Sequence, residues 1–116
     1  MRRNEALDNY KLTLVIPHTA DEAERQIWYR RACRGLSVLC GGFTAYEAVG
    51  GWVDEAGKLV TEPVTVVWAT RSDVFPPLDF PILKAALTDL CRMLKRELHQ
   101  SCVYATIEHI GAVLLV

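Results

Sequence analysis

From Tyr10 to His18 the apolar Leu12, Leu14 and Ile16 alternate with Lys11, Thr13 and Val15, which predicts a strand with one well-buried face. Pro17 ends it. Thr19 or Asp21 can cap the helix that follows, and Glu22 and Glu24 stand near the positive end of its dipole. The spacing then turns helical from about Asp21 to about Leu39. Tyr29, Ala32, Cys33, Leu36 and Leu39 or Cys40 form the buried stripe, with Ile27 and Trp28 at its margin. Gly35 weakens the last part of this helix and Gly41-Gly42 stops it.

The stretch Gly41 to Trp68 reads as one long β-hairpin around Asp54-Glu55-Ala56-Gly57, whose glycine can take the left-handed conformation that closes such loops. A turn centred between Ala56 and Gly57 sets Trp52 near Val60 and Gly50 near Glu62. A bulge at Gly50-Gly51 would shift that register by one. Glycines facing a carboxylate leave room beside it. Pro63 lacks an N–H, so its part of the arm is expected at an edge or a bulge. Val64, Val66 and Trp68 alternate with Thr65, Val67 and Ala69, and a run apolar on both parities suggests a central strand covered on both faces.

Arg71 to Pro77 reads as a loop. Pro81 opens a second helix with Asp79 as its cap, and Leu83, Leu87, Leu90, Cys91, Leu94 and Leu98 make the clearest helical stripe in the chain. Basic residues gather near its end, as a helix carboxyl terminus favours. A strand from Cys102 to Glu108 follows. The apolar tail Ile110 to Val116 would be a liability in water, so it is expected to pair as an extra strand or to cover a neighbour.

Strand, helix, strand, strand, helix, strand, joined by right-handed crossovers, is a ferredoxin-like βαββαβ domain of the α+β class. It has a four-stranded antiparallel sheet, the first and third strands central, and two helices on one face, with the C-terminal tail as an addition. The other sheet face would carry Thr13, Val15, Cys102, Tyr104 and hairpin side chains. It is too apolar for plain surface, so a homo-oligomer is expected.

Composition narrows the function classes. A chain of 116 residues with 51% hydrophobic residues is one domain with a real core. The net charge of −1 supplies no overall positive field, which disfavours general nucleic-acid binding. No apolar run reaches the ~18–20 residues of a membrane span, and the amino terminus does not read as an export signal, so a soluble cytoplasmic protein is expected. Cys33, Cys40, Cys91 and Cys102 form no Cys-x-x-Cys pair and read as small buried thiols in a reducing compartment. His18, His99 and His109 lack metal-site spacing. Neither a Gly-x-Ser-x-Gly nor a phosphate-binding Gly-x-x-x-x-Gly-Lys sequence occurs, and no cofactor is implied.

Gly-Gly-Phe-Thr at 41–44, Glu47, Gly-x-Trp at 50–52, Gly57, Glu-Pro-Val at 62–64 and the helix end Leu98-His99-Gln100 form a set. With it the chain resembles small phage and bacterial proteins of unassigned function over about half its length. The secreted bacterial members carry export signals that this sequence lacks. Compact phage proteins of this shape include inhibitors of host defence, some of which sequester nucleotide signals. The resemblance therefore implies a non-catalytic counter-defence role.

Glu47, Trp52, Glu62 and Gln100 are the residues a pocket would use. An aromatic ring stacks on a base or another flat ligand, while carboxylates and an amide read polar edges. Equally, Trp52 can pack under the hairpin and the glutamates can cap backbone or pair with arginine. Arg30 and Arg34, with Arg25 and Arg31 nearby, make either a solvated helix face or a grip on an anionic ligand. Three functions stay open: a small-ligand or nucleotide binder at an oligomer interface, an inhibitor that blocks a host enzyme, and a small enzyme of the dimeric α+β barrel type.

Overall fold

The computed structural model describes residues 9–18, 21–71, 80–100 and 102–111. Leu12, Leu14 and Ile16 lie on the inner face of β1 (Asn9–Pro17), each with no exposed surface. The helix after it, α1 (Glu22–Cys40), begins where the Asp21 carboxylate accepts the Glu24 N–H at 3.1 Å, which satisfies one of the donors a helix start leaves open. It ends at Gly41, whose φ of 91° is left-handed and whose N–H returns to the Ser37 carbonyl. Trp28, Ala32, Cys33, Leu36 and Cys40 form its buried side. Trp28 is thus an anchor and Tyr29 only half-buried, the reverse of the expected stripe; the Arg31 guanidinium covers the outer side of the Trp28 ring, 4.7 Å from its centroid.

The hairpin consists of β2 (Thr44–Val53) and β3 (Leu59–Arg71). Its register pairs Trp52 with Val60 and Gly50 with Glu62, as the turn predicts, and the ladder runs through Gly50-Gly51 without a bulge. Asp54 closes the turn. Its carboxylate accepts the N–H groups of Ala56 and Lys58, both at 2.9 Å, while Gly57 takes φ 80°.

The second helix, α2 (Phe80–Glu97), buries Leu83, Leu87 and Leu94, and β4 (Tyr104–Ile110) follows two residues later than the alternation suggested. Asp79 and Ala112 to Val116, where a cap and the tail were expected, lie outside the described residues. The sheet order is β2-β3-β1-β4, fully antiparallel, with β1 and β3 central. This is the ferredoxin-like α+β arrangement. Both helices pack on one face, where Leu12, Leu14, Ile16, Val67, Leu36, Leu83 and Leu94 are completely enclosed.

The β1–β3 ladder stops at the pair Pro17–Val64, so Leu59 to Pro63 and their partners Val49 to Val53 continue as a two-stranded ribbon beyond the sheet. Pro63 marks that exit. Its carbonyl accepts the His18 N–H, so its ring nitrogen faces the same side, just past the last β1 pair, where no ladder bond needs the missing proton. The expected edge is therefore real, although it belongs to a strand that is central elsewhere. The molecule measures 54 × 31 × 28 Å, and β3, at about 3.3 Å per residue, spans most of the long axis.

Candidate functional site

Strand parity sorts the candidate residues onto two faces. Thr44 and Trp68, Tyr46 and Val66, Gly50 and Glu62, and Trp52 and Val60 are opposite one another on the face turned away from the helices. Thr13, Val15, Tyr104 and Thr106 continue this face across β1 and β4. Lys11 lies there too, its ammonium 4.8 Å from the Trp68 ring centroid. Four aromatic side chains thus share an uncovered sheet face, with Tyr46 at 52%, Trp52 at 49% and Tyr104 at 66% exposed and Trp68 half-buried. The open face expected from the alternation is present. Cys102 is not in it, because it precedes β4 and is exposed there.

Trp52 and Glu62 are diagonal neighbours on the ribbon. Glu62 is half-buried yet makes no hydrogen bond or ion pair. The glycine between them packs closely: a Cβ at Gly50 would meet the Val64 side chain at 3.2 Å, and one at Gly51 the Val60 carbonyl at 3.1 Å. The glycines therefore leave room for the buried Val64 side chain and for the close approach of the two strands beside the ring and the carboxylate. A broad open hollow lies beside the Trp52 ring, bounded by Val53 to Ala56.

Glu47 is on the opposite face. It pairs with Thr65, whose other neighbour is the buried Ile16, and it lines a half-open cleft between the β2 edge and the start of α1. Gln100 stands at the Pro17 end of the sheet but leads into β4, on the far side of β1 from β3. Its backbone N–H reaches the Lys95 carbonyl and His99 N–H reaches that of Arg96, with His99 at φ 54°, so these residues form a left-handed helix stop without glycine. The Gln100 amide N–H also bonds the Leu98 carbonyl at 3.2 Å, which gives the Leu-His-Gln sequence a capping role. Arg30 and Arg34 are exposed on the outer side of α1, away from the hairpin. The expected set thus divides into Trp52 with Glu62, Glu47 by itself on the helix side, Gln100 at a helix end and the arginines on an outer surface.

The thiols are mostly protected. Burial raises the Cys33 and Cys91 pKa values and pushes Cys40 up to about 11, against a smaller opposing pull from the Arg71 guanidinium. Arg71 is itself buried and donates to the Leu39 carbonyl, tying the end of β3 to the end of α1. Among the described residues no three His, Cys, Asp or Glu side chains come together as a metal site would require. No helix among them is long and apolar enough to cross a membrane.

Comparison with known proteins supports this architecture. No protein-family model matches the sequence, and no curated protein matches it. Solved structures do match. A phage SAM lyase in complex with S-methyl-5'-thioadenosine superposes with a TM-score of 0.66 at 14% identity, covering 95% of this chain and 89% of that one. CutA from Xylella fastidiosa gives 0.57 at 18% identity, over 92% of this chain and 88% of that one. The periplasmic divalent cation tolerance protein CutA from Archaeoglobus fulgidus gives 0.56 at 11%, covering 91% and 87%. The chain thus shares its fold with these proteins across nearly its whole length.

Proposed function

We propose that this protein binds a small nucleoside-type ligand, of which a sulfonium or thioether derivative of adenosine is the leading example, on the ribbon at Trp52 and Glu62, and that a second copy completes the site. The observation that carries this reading is the exposed Trp52 ring beside the unpartnered Glu62 carboxylate, both on a ribbon that leaves the sheet. An indole face stacks on a purine and also attracts a cationic sulfonium. A carboxylate without a partner favours the same positive charge. The fold shared with a phage SAM lyase, whose bound molecule is S-methyl-5'-thioadenosine, supports that ligand class, while the counter-defence setting rests on the sequence resemblance alone.

Sequestration is the first reading. A second reading, cleavage of the ligand, is favoured by the same likeness: in S-adenosylmethionine the ligand's own carboxylate can attack the carbon next to the sulfonium, a C–O bond forming as the C–S bond breaks, so that a lactone forms and neutral S-methyl-5'-thioadenosine leaves. Such a reaction asks for orientation and not for a nucleophile of the protein. An inhibitor of a host enzyme is the third, resting on the uncovered aromatic face. Calorimetry against S-adenosylmethionine, S-methyl-5'-thioadenosine and a nucleotide panel tests the proposal. Binding that Trp52→Ala and Glu62→Gln each remove supports it, and silence across the panel defeats it. Chromatography of the incubated S-adenosylmethionine separates the first two readings. A stoichiometric partner captured from host lysate by the Trp52→Ala variant would favour the third.

A further inference from the structure

The cleft at the β2 edge, distant from Trp52 along the strand, holds two opposite charges that form no ion pair with each other. It measures about 220 Å³ and opens to solvent. Its floor is the fully buried Ile16, and its walls carry His18, Arg25, Tyr29, Glu47 and Thr65. Arg25, half-buried in the second turn of α1, forms no ion pair with Glu47, and neither side chain makes a hydrogen bond elsewhere. The His18 ring is already placed, its Nε2 2.8 Å from the Thr65 hydroxyl, so its other nitrogen is left for a ligand. The two charges stand on different walls of the cleft. Here they are held on separate elements, α1 and β2, with an apolar floor between them.

We propose that this cleft is a binding site for a small zwitterion of the free α-amino acid type. The ligand carboxylate is held by the Arg25 guanidinium, which matches it through two parallel hydrogen bonds, and its ammonium by Glu47. The half-buried Tyr29 and Ala45, above the enclosed Ile16, receive a short apolar side chain. This site is separate from the ribbon and does not depend on the reading given to Trp52.

Calorimetry of the full chain with L-alanine, L-methionine and L-glutamate, beside the methyl ester and the N-acetyl derivative of L-methionine, tests it. A free amino acid is expected to bind while both blocked derivatives fail, and Arg25→Gln and Glu47→Gln are each expected to weaken binding by about tenfold or more. Trp52→Ala is expected to bind as the unaltered protein does. The proposal is overturned by no binding of any free amino acid at millimolar concentration, by blocked derivatives that bind equally well, by an unchanged affinity in either charge variant, or by loss in Trp52→Ala. Both charge variants alter solvent-accessible side chains, and their melting temperatures show that the fold is retained.

Discussion

Single residues differ sharply in what they contribute. Leu14 is fully enclosed between the sheet and the helices, so Leu14→Ala leaves a cavity and is expected to cost about 2–5 kcal/mol in urea unfolding. Trp52 is half-exposed, and Trp52→Ala is expected to leave stability within about 1 kcal/mol while removing ligand binding, a pairing that unfolding and calorimetry on the same sample check. His99 occupies a left-handed position that a β-branched side chain resists. His99→Val is therefore expected to lose about 1 kcal/mol in urea unfolding, whereas His99→Gly is expected not to. Cys40 gives a pH signature. Its folded pKa of about 11 exceeds the ordinary 9.0, so the unfolded thiol ionises first and stability is full below pH 9.0, then falls as pH rises from there toward 11. Cys40→Ala is expected to make that fall shallower in melting curves taken across this window.

At the scale of elements, the ribbon stands apart. It exposes large apolar side chains on both faces, Trp52 on one and Val49, Val53 and Leu59 on the other at 75%, 64% and 66% exposure. A two-stranded ribbon without cover is marginal in water, because its ladder bonds are solvated and it buries little surface. A second copy is the partner we propose for it. Val49→Lys places a charge on the exposed ribbon, outside the core of the sheet, and is expected to lower the mass seen by light scattering while far-ultraviolet dichroism stays the same. An unaltered protein that is already monomeric would defeat this assignment.

Across the whole molecule, helices cover one sheet face and leave an aromatic one uncovered. The self-association we propose through that face or the ribbon would couple folding to concentration. The melting temperature of the ligand-free protein is accordingly expected to rise with protein concentration, and ligand affinity to rise with it if the second copy supplies part of the site. A melting temperature constant over a hundredfold dilution would show a self-sufficient monomer.

Local rules sufficed for much of this chain. Alternation placed β1, the turn at Asp54 to Gly57 led to the hairpin register apart from the one-residue shift a bulge at Gly50-Gly51 would have made, and the βαββαβ order led to the sheet with β1 and β3 central. These features depend on near neighbours and on the two periodicities of the backbone, so they are legible in the sequence. Other features were not. The sequence grouped Glu47 with Trp52 and Glu62, whereas strand parity puts Glu47 on the opposite face beside Arg25 and His18, which lie far from it along the chain. Trp28 displaced Tyr29 from the core because the helix turned to fit the sheet, a rotation that a short apolar stripe leaves undecided. The exit of the ribbon at Pro63 depended on where β1 stops, a length set by one strand and felt by another. What the sequence determined by itself was the elements and their order; which side chains meet was decided only when the strands were laid side by side.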